Sequence, residues 1–148
     1  MWYNNSMTLE ELQIESDKDL KINDIQLDIE SLKIPQLHNK YLKFLNNYKV
    51  LLKKSETDLD KMIKHKWEYY TGKSDPDVYK LKPFNLKILR QDVDKYVNAD
   101  EEIIKLKHKK EYLTTTVNYL EQIIRQINNR TFTIKNAIEW KKFTSGAI

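Results

Sequence analysis

Glycine and proline are scarce in this chain, and their scarcity limits its fold more than any other feature. The 148 residues include 2 Gly and 3 Pro, too few for the tight turns that β-hairpins need. The chain is also 40% hydrophobic, which is too apolar for wholesale disorder. We therefore predict an all-α fold built from long amphipathic helices.

The residue types that many catalytic and metal sites require are missing or scattered. The absence of Cys excludes a disulfide scaffold, a thiolate zinc site and a cysteine nucleophile. Two isolated glycines cannot form a Walker loop or a dinucleotide-binding loop. The three histidines, His38, His65 and His108, lie far apart and lack the helical spacing of metal ligands. We expect no enzymatic activity, no cofactor and no metal.

The sequence also indicates where the protein works. No apolar run approaches the roughly 18 residues that cross a bilayer. Residues 1–6 lack the basic start and apolar stretch of a signal peptide. A mean hydropathy of -0.73 is typical of a soluble protein. We expect a cytosolic protein with no membrane partner.

Charged residues are distributed unevenly along the chain, although the formal net charge is only +4. Residues 1–35 hold three Lys and eight acidic residues, whereas residues 36–73 hold nine Lys and four acidic residues. Residues 74–102 are weakly acidic, and residues 103–148 hold nine basic and three acidic residues. The electric field of two basic segments attracts a polyanion. Lys residues that only keep helix surfaces solvated would give the same distribution of charge. Charge alone leaves both interpretations open.

Capping and periodicity predict three helices in the first half of the chain. Thr8 and Glu11 form a capping-box pattern, so a short helix begins there and is interrupted around residues 17–19. A second short helix is predicted over residues 24–32. Ile34 is expected to be extended because it precedes a proline. One long amphipathic helix then runs over residues 35–70 and stops at Gly72.

The second half of the chain predicts two short helices and one long helix. Asp75 is expected to cap a brief helix that starts at Pro76 and ends at Lys82. Asn85 is expected to cap another helix, which carries Leu86, Leu89, Val93 and Tyr96 or Val97 on one side. Asp100 is a plausible N-cap for a last helix of roughly 40 residues.

The last helix carries an apolar seam with alternating spacings of three and four residues. A seam with a strict 3.5-residue period is typical of a coiled coil, and its width favours a bundle or ring of several copies. Lys110 and Thr131 are the two polar members of the seam. We expect the nine apolar members to hold a homo-oligomer together: Ile103, Leu106, Leu113, Val117, Leu120, Ile124, Ile127, Ile134 and Ile138.

Cations and aromatic rings alternate at the end of the long helix over residues 35–70. Cations that follow a backbone, together with rings that stack on bases, are typical of a site for single-stranded nucleic acid. The alternative is that Trp67 extends the apolar stripe into the core with the neighbouring rings, and we expect Trp67 to be buried in either case. The candidate binding residues are Lys64, Lys66, Tyr69, Tyr70 and Lys73.

The segment Lys64–Gly72 resembles the basic-x-basic, apolar, acidic, Tyr-Tyr-Ser/Thr-Gly motif of the UvsY family, the recombination mediators of T-even-like bacteriophages. Residues 7–13 resemble the start of that family. Residues 31–38 and 130–140 resemble its cyanophage-type members. The four segments come in the family's order and cover nearly the whole chain from Met7 onward. By this resemblance, residues 1–6 are an N-terminal extension, which we expect to be disordered.

The resemblance implies a function that periodicity does not supply. UvsY proteins bind single-stranded DNA, assemble into closed hexameric or heptameric rings, and load a RecA-like recombinase onto strands covered by single-strand-binding protein. The resemblance therefore implies three partners besides a second copy of the chain, namely single-stranded DNA, the phage recombinase and the phage single-strand-binding protein. It also implies the cytoplasm of an infected bacterial host.

The chain differs from the best-known member of the family at two positions of the motif and in the loop that follows it. The family's basic pair carries over to Lys64 and Lys66, but the best-known member has Arg at the second position, so a bidentate grip on phosphate is lost here. Trp67 stands where that member has Leu. The loop that follows, Ser74-Asp75-Pro76-Asp77, is stiffer than the family's Gly-rich loop.

These features divide the chain into four predicted regions. Residues 1–6 are the extension, residues 7–73 form a DNA-binding region, residues 74–100 connect, and residues 101–148 form the oligomerisation helix. Two rival interpretations remain at this point. One is a structural coiled-coil protein without specific DNA binding, and the other is a reader of duplex sequence. The second lacks the Arg, Asn or Gln pairings that read base edges.

Overall fold

The computed structural model describes residues 6–146 of the chain, and within that range it contains helices and no strand. The predicted all-α class is confirmed. The helices are α1 (Leu9–Asp19), α2 (Leu27–Leu32), α3 (Ile34–Tyr70), α4 (Pro76–Leu81), α5 (Val93–Ala99) and α6 (Glu101–Thr144), with a 3₁₀ turn over Arg90–Asp92. None of these helices is long and apolar enough to span a membrane. Apart from Ser6, the predicted extension lies outside the described residues.

The chain forms two compact units, and their bounds differ from those of the predicted regions. Residues 1–47 and 116–148 form unit 1, and residues 48–115 form unit 2. The helices α3 and α6 each contribute residues to both units. The functional labels given to residues 7–73, 74–100 and 101–148 stay predictions.

Unit 1 has a core from three helices, reinforced by polar contacts. Leu12 of α1, Tyr41 of α3 and Leu120 of α6 are fully buried. The Tyr41 hydroxyl donates a hydrogen bond to Asp19 Oδ2 at 2.9 Å. Lys40 Nζ lies 2.5 Å from a Glu15 carboxylate oxygen and 2.6 Å from Asp19 Oδ2. The capping box of Thr8 and Glu11 is formed as predicted.

A buried arginine fixes the turn between α1 and α2 against α6. Arg130 donates hydrogen bonds to the carbonyl oxygens of Leu20 at 2.8 Å and Lys21 at 3.0 Å. It also donates to Glu30 Oε2 at 2.6 Å. Burial raises the pKa of the Glu30 carboxyl, but hydrogen bonds from Lys33 and Arg130 outweigh burial and hold that pKa below its usual value. Arg130 therefore satisfies carbonyls at the end of α1 that have no helical partner.

The core of unit 2 forms where α3, α5 and the start of α6 meet. Leu59, Val93, Val97 and Ile103 are buried together. Half-buried side chains pack around them, namely Met62, Trp67, Tyr70, Ile88 and Leu106. Two rings of the basic and aromatic segment, Trp67 and Tyr70, therefore lie against this core.

Gly72 ends α3 as predicted, and its backbone shows why glycine is needed there. Its φ of 76° lies in the left-handed region, which side chains with a Cβ rarely adopt. The Gly72 N–H bonds to the Tyr69 carbonyl at 3.3 Å, and the Lys73 N–H bonds to the Glu68 carbonyl at 2.8 Å. This is the hydrogen-bond pattern of a Schellman cap, and it turns the chain sharply away from the helix.

Three local predictions are wrong. Ile34 is helical because the Leu37 N–H bonds to the Lys33 carbonyl at 3.0 Å, so the helix starts in spite of the proline that follows Ile34. The helix predicted over residues 24–32 begins only at Leu27. No helix starts at Asn85. Residues 83–89 are not helical, and Leu86 and Leu89, which are predicted on one side of that helix, are exposed.

The seam of α6 is largely covered by the chain's own fold. Ile103, Leu113, Val117, Leu120, Ile127 and Ile134 are buried, and Leu106, Ile124 and Ile138 are half-buried. The role of these nine residues in assembly stays a prediction. The fold of one protomer already covers most of this stripe, so its period and width do not by themselves require a second copy.

Truncation of a seam residue should therefore destabilise the protomer itself. We expect Leu120→Ala to lower the free energy of unfolding by about 2–5 kcal/mol, because Leu120 is fully buried and its loss leaves a cavity. The measurement is denaturant unfolding at one protein concentration. Val50→Ala is the matched control, since Val50 is 62% exposed on α3 and should change stability by less than about 0.5 kcal/mol. Equal effects of the two variants would contradict the burial of the seam.

Candidate nucleic-acid interface

The five candidate binding residues lie in the last turns of α3 and the turn after it, but they differ in exposure. Lys64 and Lys73 are exposed, Tyr70 is half-buried, and Lys66 and Tyr69 are buried. Helical spacing explains this split for the lysines. Lys66 falls on the apolar stripe seven residues after Leu59, whereas Lys64 points away from it.

Lys66 lies in a buried ion-pair cluster. Its ammonium is 3.2 Å from Asp100 Oδ2 and 3.2 Å from Glu102 Oε1, and its side chain is 10% exposed. Burial lowers the pKa of Lys66, but hydrogen bonds and charge from Glu102 and Asp100 outweigh it and raise that pKa above its usual value. The charge of Lys66 is therefore neutralised inside unit 2.

Asp100 connects this cluster to the start of α6. Its Oδ1 accepts a hydrogen bond from the Glu102 N–H at 3.0 Å, as an N-cap does. Its Oδ2 accepts from the Tyr70 hydroxyl at 2.7 Å. Burial raises the pKa of the Asp100 carboxyl, but hydrogen bonds from Tyr70 and Lys66 outweigh it and lower that pKa below its usual value. The predicted cap thus also neutralises Lys66.

The two tyrosines of the segment pack in an aromatic cluster. The Tyr69 ring is stacked on the Tyr79 ring, with centroids 5.4 Å apart and planes at 16°. Its hydroxyl donates to the Lys82 carbonyl at 3.0 Å. The Tyr70 ring meets the Phe84 ring edge to face at 5.0 Å. Tyr69 and Tyr70 therefore brace the turn after α3.

Trp67 and Lys73 form the exposed end of the segment. Trp67 is half-buried and packs against the core of unit 2. The Lys73 ammonium lies 4.5 Å from the centroid of the Trp67 ring, within the range of a cation–π contact. The expectation that Trp67 is buried holds for one part of the ring only.

A cleft of about 710 Å³ opens beside this end of α3. Trp67, Gly72 and Lys73 line one side, and residues 84–88 and 90 line the other. The second side brings Lys87 and Arg90 to the site, and the sequence interpretation missed both. Their charge was visible, but the helix wrongly predicted from Asn85 gave no reason to place them beside Trp67.

The chain is similar to known proteins over nearly its whole length. The sequence model of a family described as "Recombination, repair and ssDNA binding protein UvsY" matches residues 15–147. The chain belongs to the UvsY family. The resemblance drawn from its four sequence segments is thereby confirmed.

Relatives of known structure share the UvsY fold. The recombination protein uvsY of Enterobacteria phage T4 is 24% identical over 140 residues, which cover 95% of this chain and 99% of that protein. A crystal structure of the bacteriophage T4 recombination mediator protein UvsY superposes with a TM-score of 0.82 at 24% identity, covering 94% of this chain and 98% of the other. A second crystal form gives a TM-score of 0.80 at 22% identity, covering 93% and 99%.

The UvsY family description names recombination, repair and binding of single-stranded DNA, and it names no catalytic reaction. Within residues 6–146, no group of three or more His, Asp or Glu side chains is arranged to hold a metal ion. The roles of Lys64, Lys66, Tyr69, Tyr70 and Lys73 in binding stay predictions. For Lys66, Tyr69 and Tyr70 the structure adds an internal role that the sequence did not indicate.

The Asp100 cluster should make stability depend on pH in a specific direction. A carboxyl whose pKa is lowered by folding stabilises the fold above its usual pKa, and this stabilisation is lost as the pH falls through the lowered value. Asp100→Asn keeps an N-cap side chain but removes the charge opposite Lys66. We expect it to lower the free energy of unfolding at neutral pH by about 1.5–3 kcal/mol.

The difference between wild type and Asp100→Asn should shrink in acid, because wild-type Asp100 is then protonated as well. Denaturant unfolding over a pH series measures it. Asp77→Asn is the control, since the Asp77 side chain is 87% exposed and the two curves should nearly coincide at every pH. A difference for Asp100→Asn that stays constant into acid would rule out a contribution from the carboxylate charge.

Proposed function

We propose that this chain is a phage recombination mediator that binds single-stranded DNA and loads a RecA-like recombinase onto strands covered by single-strand-binding protein. The observation that carries the proposal is the end of α3, where exposed cations stand beside aromatic rings. Membership of the UvsY family supports the role in recombination. The proposed place of action is the cytoplasm of the infected bacterial host.

The exposed lysines of the segment are available to phosphates. The Lys64 ammonium has one weak acidic neighbour, Glu68, at 3.8 Å one turn away, and its side chain is 75% exposed. Lys73 forms no ion pair in the described part of the chain. In this proposal Lys64 and Lys73 contact the strand directly. Lys66 and Tyr69, which are buried, hold the surface in shape.

Assembly into a homo-oligomer is the second part of the proposal. An aromatic face remains exposed near the end of α6, where Phe132, Trp140 and Phe143 are 66%, 65% and 76% exposed. Their spacing puts them on one side of the helix, and exposed apolar patches of this kind mark interaction sites. We assign this face to contacts between copies. By resemblance, the assembly is a hexameric or heptameric ring.

An oligomer explains how lysine contacts that are individually weak hold a strand. Each protomer offers the same site, so binding at one site raises the local concentration of DNA at the next, and the affinities reinforce one another. The strand held this way is kept from its binding protein and presented to the recombinase. The acidic segment over residues 7–35 is a candidate contact for a basic surface on one of these partners.

The salt dependence of DNA binding tests the first part. We expect Lys64→Ala/Lys73→Ala to weaken binding of an oligothymidylate. The log–log salt slope should fall by about 0.7 for each phosphate contact that is lost. Lys18→Ala/Lys21→Ala removes the same charge from unit 1 and is the matched control. Fluorescence anisotropy over a salt series measures both.

Three results would count against this part. Equal loss in the two double variants would mean that only net charge matters. No salt-sensitive binding by the wild type would favour a purely structural coiled-coil protein. Preference for duplex in competition would favour a duplex reader.

The aromatic face of α6 gives a separate test by native mass. We expect Trp140→Glu/Phe143→Glu to yield a smaller species than the wild type in sedimentation velocity, because carboxylates cannot be buried unpaired between copies. Lys142→Glu changes the net charge by the same amount on the same helix and should keep the wild-type mass. Helical content should stay unchanged in all three proteins, since the substituted residues are exposed. Wild-type mass in the double variant would move the interface elsewhere.

A further inference from the structure

We infer that the cleft beside the end of α3 is a nucleotide subsite, which holds one unstacked base of a single strand on its aromatic floor and the flanking phosphates on its cationic rim. This inference rests on the proposed function and places the binding of single-stranded DNA in this cleft. The contacts it names lie mostly outside the basic and aromatic segment of α3. They come from residues 84–90, which the sequence placed in a helix.

The floor of the cleft is aromatic and partly open. Trp67, Tyr70 and Phe84 all line it and all are half-buried, so each ring is anchored on one side and accessible on another. The Phe84 ring is held edge to face against Tyr70, with centroids 5.0 Å apart. Rings held rigidly in this way lose little freedom when a base stacks on them.

The rim of the cleft is cationic. Lys73, Lys87 and Arg90 line it, and no Asp or Glu does. Lys87 and Arg90 are exposed and form no ion pair within residues 6–146. The nearest acid along the chain, Asp92, is instead paired with Lys95 at 2.9 Å. Three cations without acidic partners around one opening are complementary to a polyanion.

Arg90 supplies a guanidinium, which the basic and aromatic segment of α3 lacks. A guanidinium binds two phosphate oxygens at once, whereas an ammonium acts as a point charge. Lys stands at position 66, and its charge is already neutralised by Asp100 and Glu102. In this subsite the bidentate phosphate contact is therefore made by Arg90, on the other wall of the cleft.

Lys73 covers the Trp67 ring. Its ammonium lies 4.5 Å from the ring centroid, a contact that is weaker at an exposed site than the stacking of a base. A base that enters the cleft displaces the ammonium, which then meets the neighbouring phosphate. The space beside Gly72 at this entrance is open, since no atom lies within 4 Å of the position that a Cβ would take.

The size of the cleft agrees with a single nucleotide. Its volume of about 710 Å³ falls within the roughly 300–1,000 Å³ of small-molecule sites. Stacking accepts all four bases, since every base has a face, so the subsite holds a strand without reading its sequence.

The test combines a double variant with photocrosslinking. We expect Lys87→Ala/Arg90→Ala to bind oligothymidylate about 10-fold more weakly at physiological salt, with a salt slope lower by about 0.7 per lost phosphate. Lys80→Ala/Lys95→Ala is the matched control. It removes the same charge from unit 2 at lysines that already pair with Asp77 and Asp92, and it should bind nearly as the wild type does. Lys87→Gln/Arg90→Gln keeps polar side chains and serves if the alanine variant is unstable.

Crosslinking locates the base. An oligonucleotide that carries 5-iododeoxyuridine, irradiated on the wild-type protein, should attach to Trp67, Tyr70 or Phe84, as read by mass spectrometry of the peptides. Weaker binding together with crosslinks at these rings supports the subsite. Unchanged binding by both cleft variants, or crosslinks only outside the cleft, overturns the subsite and leaves the proposed function standing. No binding by the wild type overturns both.

Discussion

The buried contact between Lys66 and Asp100 is the interaction on which the rest of unit 2 depends. Lys66 sits near the end of α3 and Asp100 caps the start of α6, so one ion pair of 3.2 Å joins the two long helices. Removing both charges from water is costly. The Tyr70 hydroxyl, the capped backbone N–H and Glu102 supply the further hydrogen bonds and charge that compensate for it. The orientation of the exposed Lys64 and Lys73 follows from this anchored helix end.

How far the sequence predicted the fold depends on whether a feature is set locally. The long helix over residues 35–70, its stop at Gly72 and the start of α6 after Asp100 follow from periodicity and capping, which act within a few residues. The helix expected from Asn85 failed because Leu86 and Leu89 have helical spacing by sequence only. Tertiary packing uses Phe84 and Ile88 instead, and no local signal reports that choice.

The candidate site shows the same limit more sharply. Lys64 and Lys66 look alike in the sequence, two residues apart in one basic cluster, yet one is exposed and the other neutralised. The partner that decides this, Asp100, is 34 residues further along the chain. A usable signal did exist, because position 66 continues the apolar stripe of Leu59 and Met62. A cation on the buried side of an amphipathic helix requires a buried acid, and a search for that acid leads to the cap of the next long helix.

The seam of α6 carries the same ambiguity at a larger scale. A 3.5-residue apolar repeat states that a helix packs along its length, but it does not state whether the neighbour is another copy or another helix of the same chain. Here the chain's own fold buries Leu120 and Ile127 completely. Phe132 and Trp140, by contrast, lie off the seam and stay exposed. The periodic signal of α6 therefore reflects packing within the protomer, and the interface proposed between copies lies among the large apolar residues that the period leaves out.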